Sequence, residues 1–300
     1  MEENLSKPEI EELQEPDSPD LDLPQNEEQR HFWTHVNSVV FLGLHLSCFA
    51  AIWTGVDATA IILCIFLYLI RMWAITGGYH RYFSHRSYKT SRAFQFVMAW
   101  LGSSAAQKGV LWWSAHHRHH HDYSDLENDL HSPRRDGFWW SHVGWILSSE
   151  YLDTRYDRVK DLARYPELRW LNRHHLVPVI ALAVLCWLIG SWSGLVWGFC
   201  VSTVLCCHVT FSINSLTHMF GRRRYETTDD SRNHWLLALM TLGEGWHNNH
   251  HYYQTSARQG FYWWEVDITF YTLVVLNRIG IIWDLQSPSE RVMNSNRVAA

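Results

Sequence analysis

Two long stretches of the chain are apolar and almost free of charge. From His31 to Ile70 there is no Lys or Arg and Asp57 is the one acid; from His174 to Gly221 there is no Lys, Arg, Asp or Glu. A helix needs roughly 20 residues to cross a bilayer, so each stretch has the length of two spans joined by a tight turn. The turns fall at Gly55-Val56-Asp57 and at Gly190-Ser191-Trp192-Ser193-Gly194. All 25 Lys and Arg lie outside these hairpins, on the side that holds both termini and the segment 71–173, and the positive-inside rule makes that side cytoplasmic. The pattern predicts an all-α integral membrane protein of four transmembrane helices in two hairpins. The other reading, two buried hairpins of a soluble protein, conflicts with the missing charged face on helices this long.

The mean hydropathy of −0.21 hides these spans, because 20 His and 18 Trp lower the average over 300 residues. Residues 1–30 carry eleven acids against Lys7 and Arg30 and no aromatic residue. They cannot bury enough surface to offset their ordering entropy, which predicts a disordered acidic tail before a single domain over 31–300. The tail's net −9 out of the chain's −5 leaves the remainder mildly basic at +4. The segment from Met1 to Leu23 lacks the basic and apolar regions of a signal peptide. All six cysteines (Cys48, Cys64, Cys186, Cys200, Cys206, Cys207) lie in apolar runs without Cys-x-x-Cys spacing, which excludes a zinc finger or disulfide scaffold and reads them as small buried hydrophobes.

The histidines carry the chemistry. His117, His120 and His121 stand at i, i+3 and i+4, an arc of about 100° on one helix face, and His247, His250 and His251 repeat it. Together with His80 and His85 they bring eight imidazoles to one place, more than one tetrahedral or octahedral ion uses. Two metal ions are implied. His80 and His85 stand about 140° apart on a regular helix, so either the helix unwinds there or the two rings serve different ions. Asn214 and His218, at i and i+4 near the end of the last span, share a face; His218 is a candidate ninth ligand and Asn214 a partner for a metal-bound water. His116 and His119 point off the arc and are left out of the set. Imidazole-rich ligation suits Zn, Cu, Fe or Ni, and a closed four-ligand zinc site would not use so many.

These motifs resemble the membrane fatty acyl desaturases, the stearoyl-CoA Δ9-desaturase-like group. The likeness spans about residues 33–285 and rests on His80-Arg81-Tyr82-Phe83-Ser84-His85, the two HxxHH groups, the stretch from Asn214 to Gly221, Asp129-Leu130-His131-Ser132-Pro133, and Ser141-His142-Val143-Gly144-Trp145. It implies a four-span stalk capped by a cytosolic helical domain, with a kinked acyl tunnel and two iron ions (Fe2+) on His80, His85, His117, His120, His121, His218, His247, His250 and His251. Asn214 holds a water on one iron. The Trp-rich segment 94–113 is expected to form a cap or interfacial helix. The implied reaction uses O2 to make a cis Δ9 double bond in a saturated acyl chain, and protein groups do little acid–base work in it.

The sequence departs from the animal acyl-CoA members where a head group would be read: Ile146-Leu147-Ser148-Ser149-Glu150 stands in place of a basic pair, and Ala115-His116 in place of Arg-Asp. Lys108, Arg134, Arg135, Arg155, Arg158 and Lys160 remain for CoA phosphates. Acyl-CoA is taken first as carrier, with acyl carrier protein or a membrane lipid as alternatives. Tyr68, 12 residues before His80, is a candidate plug for the tunnel or a packing residue. No His-Pro-Gly-Gly segment of the cytochrome b5 type occurs, so electrons are expected from a separate cytochrome b5 or ferredoxin-like carrier with its reductase, docking at Arg222-Arg223-Arg224 unless that run anchors to the membrane surface. No nucleic acid partner is expected. The rivals are a membrane di-iron hydroxylase and, more distantly, a His-rich metal transporter. The transporter would need charged residues as a path within the spans, and 58–70 and 177–190 have none.

Overall fold

The computed structural model describes residues 27–298. Most of the acidic tail predicted for 1–30 lies outside the described residues, and the first helix already begins at Glu27, inside that predicted boundary. Arg30 ties the start of this helix to the segment beyond His121 through Asp153, at 2.5 Å, and the carbonyl of Ser149, at 2.7 Å.

Three long apolar helices dominate: Glu27–Thr54, Ala58–Ser84 and Leu176–His218, of 28, 27 and 43 residues. The first ends where Gly55 takes φ 67°, and the second starts at Asp57, whose Oδ1 accepts the Ala60 amide at 2.7 Å. The predicted second hairpin is one helical run, interrupted at its expected turn: Gly190 (φ −127°, ψ 17°) and Ser191 (φ 52°, ψ −144°) leave helical geometry. Past that break the chain packs closely on what precedes it. A Cβ on Gly194 would meet the Cys186 carbonyl oxygen at 2.5 Å, and one on Gly198 would meet Leu63 Cβ at 3.0 Å, the close approach that small residues permit between apolar helices. Large apolar side chains such as Val40, Trp53 and Leu188 face outward at 62%, 79% and 67% exposure, as lipid contact requires.

Several polar groups on these helices are paired. His45 of the first helix and His208 of the third bring their Nε2 atoms to 2.7 Å, His142 Nε2 reaches His208 Nδ1 at 3.0 Å, and His142 Nδ1 reaches Ser215 Oγ at 3.0 Å. The charge-free stretch ends at Ile70, yet its helix runs on to Ser84. Arg71 is therefore held inside the bundle, its guanidinium donating to Thr203 Oγ1 at 2.6 Å, to the Leu67 carbonyl at 2.9 Å, and to Ser202 Oγ. The six cysteines are free, five of them buried.

The Trp-rich segment expected as one helix is two, Arg92–Ser103 and Val110–Tyr123. Ala106 and Lys108 between them take φ 59° and 70°, a left-handed reversal no regular helix accommodates. The core lies where these two helices meet the end of Ala58–Ser84, around Tyr79, Phe83, Met98 and Leu111, all fully buried. Lys89–Thr90 pairs antiparallel with Ile282–Trp283, fastening the C-terminal segment to the stretch that follows His85.

Candidate metal centre

Three short devices aim the histidines. The first is a wide turn: residues Ala74–Ser84 follow π-helical geometry, with the His85 amide bonded to the His80 carbonyl five residues back at 3.2 Å. A turn closed by i→i+5 bonds stacks residues five apart, so His80 and His85 meet with ring centroids 4.8 Å apart. The helix unwinds, and both rings serve one cluster.

The second device caps the helix Val110–Tyr123 from a distance. Gly109 offers no side chain, and Asn172 Oδ1 accepts the Leu111 and Trp112 amides at 3.1 and 2.9 Å, satisfying donors that a helix start leaves open. The third holds the six-residue helix His247–Tyr252 by the two residues off its histidine arc. Asn248 Oδ1 accepts the Arg224 and Tyr225 amides at 2.7 and 2.8 Å, and Asn249 donates to the Gln259 carbonyl at 2.9 Å and Glu265 Oε2 at 3.0 Å. Both asparagines are fully buried.

The result is two adjoining groups. His80, His85, His117, His121 and His250 form one; His120, His218, His247 and His251 form the other; within each, one nitrogen per ring lies within 4.8 Å of all the rest. All nine histidines singled out in the sequence are thus brought together. Asn214 lines the cavity beside them, with His80, His117, His120 and His247. His116 and His119 turn away to backbone carbonyls, of Trp112 at 2.8 Å and Asn128 at 2.7 Å.

The donor set fits metal ions. His117 Nε2 lies 2.8 Å from His85 Nε2 and 3.0 Å from His121 Nε2, which in turn is 3.0 Å from His250 Nε2. A neutral imidazole has one N–H, so converging nitrogens leave lone pairs that a cation would take. His251 Nε2 is buried without a hydrogen-bond partner among the described residues. Burial, reinforced by the neighbouring imidazoles, holds His85, His117, His121, His247 and His250 well below the usual histidine range, which keeps them in the neutral form that metals bind.

Sequence reasoning missed the carboxylates behind the rings. His120 Nδ1 donates to Asp129 at 2.9 Å, His218 Nδ1 to Asp125 at 2.8 Å, His251 Nδ1 to Asp229 at 2.5 Å, and His80 Nδ1 to Glu244. Burial opposes their ionisation, but the histidine partners outweigh it and hold Asp125, Asp129 and Asp229 below the usual carboxylate range. A carboxylate on Nδ1 fixes the tautomer and turns Nε2 inward, as in metal sites generally. His131, also missed, stacks on His120 with centroids 4.3 Å apart. The Asp129–Pro133 segment was visible in the sequence, but nothing in its spacing named its partner.

Two openings reach the centre. An apolar cavity lined by Met72, Ile75, Thr76, Trp113, Thr210 and Ile213 ends at the histidines of both groups. A polar crevice lined by Ser84, Arg118, Arg158 and Thr255 ends at His85 and His121. Two arginines of the Arg222–Arg224 run are engaged internally, Arg223 with Thr227 and Arg224 with Glu265.

Residues 57–271 match the family model described as fatty acid desaturase. The chain is 40% identical over 251 residues to the sn-1 stearoyl-lipid 9-desaturase of Anabaena variabilis, covering 82% of this chain and 91% of that one. It is 35% identical over 291 residues to the acyl-CoA 5-desaturase AL21 of Anemone leveillei, covering 93% and 90%. With the delta-9 acyl-lipid desaturase 2 of Arabidopsis thaliana it shares 39% over 226 residues, 74% and 73% of the two chains.

Proposed function

This chain belongs to the membrane fatty acid desaturase family, and from that premise we propose that it places a cis double bond at C9 of a saturated acyl-CoA, using O2 and two iron ions. The observation that carries the reading is the pair of histidine groups closing the end of an apolar cavity. Iron bound there would supply the O2 activation needed to take two vicinal hydrogens from an unactivated chain. Two electrons from a separate donor and two protons complete the reduction of O2 to two waters.

The nine histidines hold the metals in this reading, and Asn214 offers its amide to a water at the same centre. Met72, Ile75, Thr76 and Ile213 exclude bulk water and fix which carbons lie beside the histidines, the positioning that sets regiochemistry. In this reading the third helix folds back at the Gly190–Ser191 break, which supports four crossings, and the distribution of Lys and Arg assigns both ends and the metal centre to the cytoplasm. The C9 position draws on relatives described as 9-desaturases.

A membrane lipid as acyl carrier is the second reading. It is favoured by the missing basic pair after Trp145 and by cations already paired: Arg134 with Asp230, Arg155 with Asp157 and Arg158 with Asp122. Lys108, over the Trp112 ring and without a carboxylate partner among the described residues, is a cation left for a CoA phosphate in the first reading. Expression in a host lacking its own desaturase, with mass spectrometry of derivatised methyl esters, tests the proposal. A C9–C10 cis alkene that vanishes with His120→Ala supports it; a hydroxylated chain moves the protein to the hydroxylase rival.

A further inference from the structure

The carboxylates behind the histidines are unevenly shared. Three of the four rings in the group His120, His218, His247 and His251 donate Nδ1 to an aspartate. In the five-ring group, among the described residues, only His80 has such a partner, Glu244.

The quality of the charge differs as well. Asp125, Asp129 and Asp229 take their other hydrogen bonds from neutral donors: Ser132 Oγ and the Asp230 amide, the Asp125 amide, and Ser231 with Thr227. Glu244 instead spends its second oxygen on the buried guanidinium of Arg81, at 3.1 and 3.2 Å, and Arg81 is shared with Asp267 at 2.9 Å. One group is therefore backed by three unneutralised negative charges. The other is backed by one carboxylate already paired with a cation.

Solvent reaches the two groups unequally too. His85 and His121, both of the five-ring group, floor the polar crevice whose walls include Arg118 and Arg158. The four rings of the other group are all buried.

We propose that the two metal positions are inequivalent: the four-histidine position, made electron-rich by Asp125, Asp129 and Asp229, holds its ion tightly, and the five-histidine position is the weaker, exchangeable one. This rests on the reading of the histidines as a two-metal centre. Asp125, Asp129 and Asp229 are positioning residues that act through the rings. Removing an outer carboxylate lowers metal affinity about 10- to 100-fold in comparable sites, so an excess of two carboxylates separates the positions by at least about tenfold.

The test uses the full chain in detergent, stripped of metal, reloaded with Fe(II) without oxygen, and equilibrated against graded chelator, with iron counted per chain. The wild type is expected to lose iron in two steps with chelator midpoints at least about tenfold apart. His85→Ala should abolish the weak step and His247→Ala the tight one. Asp229→Asn and Asp125→Asn should bring the tight step toward the weak one, whereas Glu244→Gln leaves the tight step in place. A single step in the wild type, a tight step lost with His85→Ala, or an unmoved tight step in folded Asp229→Asn and Asp125→Asn overturns the inequivalence. Should the aspartate variants fail to fold by circular dichroism, the two histidine variants still order the steps. Wild-type protein that retains no iron overturns the two-metal reading itself, a result distinct from two equal steps.

Discussion

The hydroxyl of Tyr68 donates to the carbonyl of Met240 at 2.6 Å, joining the second apolar helix to the short helix Trp235–Met240. Tyr68 lies one turn beyond Met72, the cavity-lining residue of that helix farthest along the chain from His80, which makes it the side chain to test as a stop for the far end of the apolar cavity. Tyr68→Ala is expected to lengthen the cavity by about one helical turn, roughly 5 Å, and to shift product chains toward greater length. Tyr68→Phe, which keeps the ring and loses the bond, should leave chain length unchanged. Product profiles from mixed saturated substrates separate the two roles; an unchanged profile in Tyr68→Ala would make the residue a packing group.

Each histidine group gives a direct prediction. His120→Ala removes one ring from the four-histidine group and His250→Ala one from the five-histidine group, so each variant should retain at most one iron per chain and lose turnover. His174→Ala, at an exposed ring outside both groups, should keep both ions. Iron analysis of purified protein is the measurement. Full iron with full turnover in either of the first two variants would sink the ligand assignment.

Lys108 carries a pH prediction. Burial pulls its ammonium down to about 8, while an unfolded lysine stays protonated to about 10.4. Below pH 8 the folded chain bears the whole cost of a buried charge. The cost fades as pH rises from the folded to the unfolded pKa and is gone above both. Lys108→Met should therefore raise stability at pH 7 by up to about 3 kcal/mol and give no gain near pH 10.5, read as a shift in thermal midpoint. If Lys108 pairs with CoA phosphate, the same variant raises KM for acyl-CoA several-fold, and an unchanged KM favours the lipid-linked carrier.

All nine clustered histidines were legible because each sits in a spaced motif on one element or at a span's end, and both turns were marked by glycine and by the loss of apolar continuity. The meeting of His80 with His85 was not, since a helical wheel assumes 3.6 residues per turn and the chain there widens to close on its fifth residue. The carboxylates escaped for another reason. Asp125 lies 93 residues from His218, and Glu244 serves a ring at position 80, so no local spacing links donor to acceptor. Remote capping by Asn172 and anchoring by Asn248 and Asn249 are likewise products of tertiary packing, which gives polar side chains partners that their own segment does not contain.

Gly245 tests how rigidly the helix His247–Tyr252 is held. A Cβ there would meet the Ala238 amide nitrogen at 2.1 Å and the His234 carbonyl oxygen at 2.6 Å. Both are backbone atoms of one short helix and its cap, and neither can swing aside as a side chain would. The Gly245 carbonyl also accepts the His234 amide at 2.7 Å, so any retreat breaks a bond of a buried segment. The helix bearing His247, His250 and His251 starts two residues later, and a shift of its first residue moves all three rings. Gly245→Ala is therefore expected to lower stability by about 1–3 kcal/mol and to cost iron, whereas Gly137→Ala, with open space around its Cβ at φ 84°, should cost only about 1–2 kcal/mol and keep the metal. Iron content beside the thermal midpoint distinguishes them, because strain alone lowers the midpoint while displacement of the rings lowers both. Wild-type iron content in Gly245→Ala would show that the approach to His247 has slack and that Asn248 and Asn249 suffice to place the helix.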